Sequence, residues 1–458
     1  MTTSKLNVII LAAGQGTRMK SSLPKVLHPL GGTPLLGHVI KAANTLTPAK
    51  LIVVYGHGGQ QVQETINNDS ISWVEQAEQL GTGHAVNQAM PEVDEDSIVL
   101  VLYGDVPLIN SSTLSDLVYQ AGDDSLGLLT VHLDDPTGYG RIARDAHGKV
   151  QYIVEQKDAN SEELEISESN TGILAVNGSK LKSWLSQLKN NNAQGEYYLT
   201  DIIAMAVRDN VEVKATHPES EEEVLGVNSR SQLAHLERHY QRLQAEDLMA
   251  QGVTIIDPSR IDIRGEVTVG KDITLDINVI LEGKVSIADN VSIGANCVIK
   301  DSIIEEGVEL KPMCVIEQAR IGKEAIVGPY SRLRPGADLA GGNHIGNFVE
   351  IKNSNIGQGS KVNHLTYIGD TDMGSGVNIG AGTITANYDG ANKHRTTIED
   401  NASTGSNSVL VAPIKVGKGA TIGAGTVLRK EAPEGELTLS VVKQKTIEGW
   451  KRPVKKKT

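Results

Sequence analysis

Near its amino end the chain reads Leu11-Ala12-Ala13-Gly14-Gln15-Gly16-Thr17-Arg18-Met19, and shortly afterwards Pro24-Lys25-Val26-Leu27. Small residues let backbone N–H groups approach phosphate oxygens, and Arg18 and Lys25 add positive charge beside them. This suits a nucleoside triphosphate, although a GxG alone would serve equally as a tight turn. Asp105 ends the run Ser97-Ile98-Val99-Leu100-Val101-Leu102-Tyr103-Gly104-Asp105. A carboxylate at such a strand end suits a hard cation that shares its oxygens with phosphates and water. His364 lies in Val362-Asn363-His364-Leu365-Thr366-Tyr367-Ile368-Gly369. A neutral imidazole there can take a proton from an amine that attacks a thioester. A lone surface histidine has no such meaning, but Asn378, Asn387, Tyr388, Arg334, Lys352 and Lys393 are expected on the same face.

Two scaffolds must position these groups. From about residue 6 to 228 the chain alternates strands and amphipathic helices, and the short apolar runs 8–11, 51–55, 98–103 and 126–131 read as parallel strands covered on both faces. This predicts a doubly wound, Rossmann-like α/β sheet with ligands at the carboxyl ends of its strands. Residues 229–251 carry Leu233, Leu236, Tyr240 and Leu243 at helical spacing and predict one linking helix. Beyond it an aliphatic residue recurs every six positions, as in Ile263, Val269, Leu275, Leu281, Ile287, Ile293 and Ile299. A second apolar series runs Val267, Ile273, Val279, Val285, Val291, Cys297, Ile303. Neither a helix nor a simple strand gives that period; a parallel β-helix does, with three hexapeptides closing each triangular coil. Residues 384–397 interrupt the pattern and predict a loop ejected from one face. Three segments follow: 1–228, a linker 229–250, and 251–458.

A net charge of −13 with 3% aromatic residues argues against a nucleic-acid surface. Two cysteines, Cys297 and Cys314, predict a reduced cytoplasmic protein. The apolar run 8–13 leads into the Gly-rich turn, so it reads as a buried strand rather than a signal core, and no run is long enough to span a membrane.

The first string with its Pro-Lys element resembles the nucleotidyltransferases that join a nucleoside triphosphate to a sugar 1-phosphate. Gln76 to His84 (QAEQLGTGH), Tyr103 to Pro107 (YGDVP), Gly138 to Arg141 (GYGR), Glu155, Asn170-Thr171-Gly172 and Gly226-Val227-Asn228 sharpen this. Over nearly its whole length the chain resembles the bifunctional UDP-N-acetylglucosamine pyrophosphorylase / glucosamine-1-phosphate N-acetyltransferase family. The resemblance implies a left-handed β-helix, Mg2+, and UTP and acetyl-CoA as co-substrates. It also implies small-molecule substrates without nucleic acid or membrane, a homotrimer, and a product used for cell-envelope precursors.

Residue by residue, the resemblance implies uridylyl transfer with Arg18 and Lys25 on the phosphates and Asp105 and Asn228 as metal ligands. Leu11, Ala12, Ala13, Gly14, Tyr103 and Gly104 would line that site, with Gln76, Gly81 and Thr82 at the uracil and Gly140, Glu155 and Asn170 at the amino sugar. In the solenoid His364 would be the general base. Arg334 and Lys352 would clamp the sugar phosphate with Tyr367, Asn378 and Lys393, while Ala381, Asn387, Tyr388, Ser406 and Ala424 would contact acetyl-CoA or the sugar. Relatives commonly carry an arginine for a CoA phosphate where this chain has Val441, with Lys443 and Lys445 as possible substitutes. A single-activity nucleotidyltransferase with a scaffolding solenoid is the alternative, and His364 with the Asn387-Tyr388 loop argues against it. A non-enzymatic interaction protein is opposed by the intact Gly-rich turn, Lys25 and Asp105.

Overall fold

The computed structural model describes residues 5–56, 58–441 and 443–455, in two compact units, Met1–Arg242 and Leu243–Thr458. In the first, strand Leu6–Ala12 pairs in parallel with Lys50–Tyr55 on one side and Ile98–Tyr103 on the other. Val8 and Ile10 pack with Leu36, Val39, Leu114 and Leu117 of two helices. The alternate residues, Ile9 and Leu11, pack with Ala85, Val86, Leu181 and Ile202 of three more. A strand buried on both faces needs an unbroken apolar run, as the sequence has.

The sheet is mixed rather than all parallel. Strand Glu168–Asn177 inserts antiparallel between Ile98–Tyr103 and Ser125–His132, and the hairpin Arg141–Arg144 with Val150–Val154 hangs from it. Burial on both faces imposes the same composition whichever way the neighbour runs, so the apolar runs carry no information on direction.

In the second unit three parallel ladders form the faces of a prism. One joins Ile293, Leu310, Val327, Ile345, Val362, Ile379, Thr404 and Ile422. Another joins Leu281, Ile299, Ile316, Leu333, Ile351 and Ile368. The third joins Ile287, Ile304, Ile321, Leu339, Ile356, Met373, Ile398 and Val416. These side chains point inward and form one continuous core, which also takes in Ala245 and Leu248 of helix Arg230–Ala250.

Two details differ from the sequence expectation. Ile303 is exposed, and Ser302 takes the inward position. The hexapeptide before Ile304 is one residue short, so the residue two before that inward isoleucine is Ser302, whose hydroxyl is satisfied by Lys300 O and Ala319 N. The ejected segment is also shorter than 384–397, because Ile384–Ala386 and Thr396–Ile398 are strands of the prism. Thr385 fills the inward slot while Ile384 faces out, leaving 387–395 outside. Among the described residues no helix is long and apolar enough to cross a membrane.

Candidate active sites

The turn after the first strand is built around Lys25. Gly16 has a left-handed φ of 61°, and a Cβ there would lie 2.7 Å from the Lys25 Cβ, so only glycine lets the lysine stem pass. The Lys25 ammonium donates to Asp105 Oδ2 and, at 2.9 Å, to Asn228 Oδ1. Asp105 is set in place by Gly104 N–H bonding Leu11 O, and Asn228 by Val227 N–H bonding Asp105 O. A carboxylate oxygen and an amide oxygen thus converge on one cationic centre. That donor set fits a hard divalent cation, with the ammonium standing where positive charge is wanted.

These groups line a cavity of about 530 Å³ together with Leu11, Ala12, Ala13, Gly14, Arg18, Gln76, Gly81, Thr82 and Tyr103. Gln76 is buried, and its Nε2 donates to Gly81 O at 3.1 Å, which fixes the direction of its remaining oxygen. Gly140, Glu155 and Asn170 form an adjoining wall: Asn170 N–H bonds Gly140 O, and Thr200 Oγ1 donates to Glu155 Oε1 at 3.0 Å. Burial pushes the Glu155 carboxyl up, helped by Asp158, Asp201 and Glu196. Burial also raises the Tyr103 phenol, with Glu155 and Asp105 adding to it. The Tyr103 ring lies against Gly172, where a Cβ would sit 2.4 Å from it.

Elsewhere in this unit His132, Glu168 and His217 bring possible metal-ligand atoms within 4.8 Å of one another. Both Glu168 oxygens already accept from Arg144, at 2.6 and 2.7 Å, and Oε1 also accepts from Thr130. This is a closed ion pair, remote in sequence from the Gly-rich turn.

In the prism His364 ends strand Lys361–His364, two residues past inward Val362, and is exposed. Its Nδ1 lies 3.1 Å from Asn347 Oδ1 one coil earlier. An amide oxygen only accepts, so in the neutral ring Nδ1 is the nitrogen that carries the proton and Nε2 the one with the free lone pair, the form a base needs. Ala381, Ser406 and Ala424 follow near the same corner: Gly382 N–H bonds His364 O, Asn407 N–H bonds Ala381 O, and Gly425 N–H bonds Ser406 O.

The other expected residues gather elsewhere. Arg334, Lys352, Tyr367 and Asn387 adjoin strands Arg332–Leu333, Glu350–Lys352, Tyr367–Gly369 and Ile384–Ala386, whereas His364 and Asn378 belong to the neighbouring ladder. Among the described residues no hydrogen bond joins the two groups, so the single face expected from sequence is two adjacent ladders of the prism. Arg334 is paired with Glu350 at 2.8 Å, and Lys352 is held below the usual lysine range chiefly by Lys393 beside it. Two adjacent ammonium groups suit an anion. Tyr388 is exposed, and its hydroxyl donates to Gly390 O. Val441 is exposed.

Residues 8–161 match the MobA-like NTP transferase domain, and residues 284–317 and 395–430 match the hexapeptide repeat of succinyl-transferase and the bacterial transferase hexapeptide. The chain is 60% identical over 452 residues to "Bifunctional protein GlmU" of Ralstonia pickettii (strain 12J), covering 99% of each. It is 58% identical to that of Ralstonia nicotianae and 56% to that of Azoarcus sp. (strain BH72), again over 99% of this chain. The chain belongs to the GlmU family. As a GlmU protein it is a bifunctional transferase of UDP-N-acetylglucosamine synthesis, with a Rossmann-like nucleotidyltransferase fold followed by a left-handed hexapeptide β-helix. GlmU substrates include a nucleotide and acetyl-CoA, and a divalent metal takes part.

Several residues of this GlmU chain that touch the candidate groups had no sequence signal. Asn347 at His364, Glu350 at Arg334, Thr200 at Glu155, and Glu196 in the cavity wall are ordinary polar residues that stand outside the motifs. In the prism one signal was available: residues one coil apart, 17 or 18 positions, stack in register, as Asn347 does with His364.

Proposed function

We propose that the two transfers are divided along the chain. Residues 1–228 would carry uridylyl transfer, 229–250 the link, and 251–458 acetyl transfer. The observation that carries the reading is the convergence of Lys25, Asp105 and Asn228, residues 203 positions apart at the extremes, on a cation site beside a Gly-rich turn. Asp105 and Asn228 would hold Mg2+, which when bound neutralises phosphate charge. Arg18 and Lys25 add charge to the triphosphate, Gln76, Gly81 and Thr82 read the uracil, and Gly140, Glu155 and Asn170 face the amino sugar. A phosphate oxygen of N-acetylglucosamine 1-phosphate attacks the α-phosphorus of UTP and pyrophosphate leaves. This step depends on alignment and charge.

In acetyl transfer the Nε2 lone pair of His364 takes the proton of the 2-amino group of glucosamine 1-phosphate as the amine attacks the thioester carbonyl, and CoA leaves. Arg334, Lys352, Tyr367, Asn378 and Lys393 would hold the sugar phosphate. Ala381, Asn387, Tyr388, Ser406 and Ala424 would meet acetyl-CoA or the sugar, and Lys443 or Lys445 would replace the arginine absent at Val441.

A homotrimer is part of the proposal. Met313, Tyr330, Phe348 and Leu365 form an exposed apolar column up one prism corner, Tyr330 and Phe348 stacking at 5.3 Å, and such a column suits burial between copies. Free, buried Cys297 and Cys314 favour a reducing, cytoplasmic setting. The test is release of CoA and of pyrophosphate with glucosamine 1-phosphate, acetyl-CoA, UTP and Mg2+, each omitted in turn. CoA release should need only the first two, and pyrophosphate release with glucosamine 1-phosphate should need all four. Pyrophosphate release without acetyl-CoA would refute the assigned sugar specificity.

A further inference from the structure

Asp370 lies beside the lysine cluster and has no part in the roles assigned above. It is 5% exposed and takes a left-handed φ of 48° directly after Gly369. Its Oδ1 accepts from Asn353 Nδ2 and its Oδ2 from Asn387 Nδ2, each at 2.5 Å. Its backbone N–H bonds Lys352 O, and its backbone carbonyl accepts from Thr396 N–H, both at 3.0 Å. Asn387 is the first residue of the ejected segment and Thr396 the first strand residue after it. One residue therefore ties down both ends of the segment that presents Tyr388 and Lys393. We propose that Asp370 is a positioning residue for acetyl transfer, fixing the Asn387 carboxamide and holding Lys352 and Lys393 together before a sugar phosphate arrives.

The chemistry excludes a simpler role. Both carboxylate oxygens accept from amide donors that belong to the protein, and the group is buried, so Asp370 is placed to orient its neighbours rather than to meet a reacting proton. A negative charge beside an anion site lowers affinity for phosphate, so it does not serve binding strength. What it supplies is order: with Nδ2 committed to Asp370, the Asn387 side-chain oxygen has one direction. Burial alone would push the Asp370 carboxyl up, yet the bonds from Asn353 and Asn387 and the charges of Lys352 and Lys393 hold it below the usual carboxylate range.

The inference rests on the assignment of this cluster to acetyl transfer, and the test separates the two. In the full-length enzyme, Asp370→Asn keeps the size but removes the charge and turns an N–H2 toward one of the two donors. The expected result is a kcat for CoA release down roughly 10–100-fold, the usual cost of misplacing a reacting group by about an ångström. The KM for glucosamine 1-phosphate should be unchanged or lower, and inorganic phosphate should inhibit more strongly. Pyrophosphate release from UTP and ready-made N-acetylglucosamine 1-phosphate should stay at the parent rate. A kcat within twofold of the parent, or a KM that rises as kcat falls, overturns the inference, the second marking plain collapse of the segment. If Asp370→Asn does not fold, Asn353→Ala, which removes the donor to Asp370 Oδ1, takes its place, with the same fall in kcat at an unchanged KM expected. His364→Ala is run alongside: full CoA release from it overturns the acetyl-transfer assignment and this inference together, whereas its loss beside an active Asp370→Asn overturns this inference alone.

Discussion

The Lys25 ammonium is bonded to the Asp105 carboxylate across 80 residues of chain, with both side chains largely shielded from water. At the proposed phosphate site such an ion pair marks where charge has to be balanced, and it must rearrange when a charged substrate enters. Asp105→Ala and Lys25→Ala should each lower uridylyl transfer by roughly 10²–10³-fold or more, with acetyl transfer near the parent rate. Pyrophosphate release close to parental from Asp105→Ala in the presence of Mg2+ would refute the metal assignment.

His364→Ala should cut acetyl transfer by roughly 10²–10⁴-fold, the span for a positioned base, and leave uridylyl transfer to ready-made N-acetylglucosamine 1-phosphate intact. Because the ring is exposed, stability should move by no more than about 0.5 kcal/mol. Asn347→Ala frees the ring to turn and should lower kcat about tenfold with little change in KM. A His364→Ala enzyme that releases CoA at the parental rate would return the prism to a scaffold.

Arg144 and Glu168 make a stability prediction. Burial pushes Glu168 up, but the bonds from Arg144 and Thr130 outweigh it and hold the carboxyl below the usual range. A lowered folded-state pKa stabilises above the unfolded value and is lost as pH falls through the folded one. Arg144→Ala leaves a buried carboxylate without its partner and should cost about 1–3 kcal/mol at pH 7, the arginine being partly solvated. The gap in melting temperature between parent and variant should narrow toward pH 3; a gap independent of pH would show that packing is responsible instead.

Gly172→Ala should destabilise the nucleotidyltransferase unit by about 1–3 kcal/mol, since φ is 83° and the new Cβ would meet the Tyr103 ring at 2.4 Å. Uridylyl transfer should fall with it as Tyr103 is displaced. Calorimetry of a 1–242 fragment showing an unshifted transition would refute the close packing.

Ala245 and Leu248 belong to the prism core, so a fragment 243–458 should be a folded trimer and should melt higher than 251–458, which leaves the first coil uncovered. Light scattering that reports a monodisperse monomer at micromolar concentration counts against the trimer.

The sequence alone determined the repeating architecture, because an inward side chain every six residues is a local requirement that each hexapeptide must satisfy. It likewise marked the Gly-rich turn with Lys25, the strand-end Asp105 and the outward phase of His364, each set by neighbours within a few positions. Tertiary structure decided what those residues meet. Asn228 reaches Lys25 only because Val227 pairs with the Asp105 backbone, and Asn347 orients His364 only because one coil stacks on the next. The antiparallel strand Glu168–Asn177 was hidden because burial on both faces demands the same residues in either direction. Ile384–Ala386 joined the prism because Thr385, polar in sequence, buries its methyl and satisfies its hydroxyl at Gly369. Asp370 shares the one-coil spacing, since Asn353 and Asn387 each lie 17 positions from it, but that spacing repeats all along the prism, and only the structure decided which stacked residues bond.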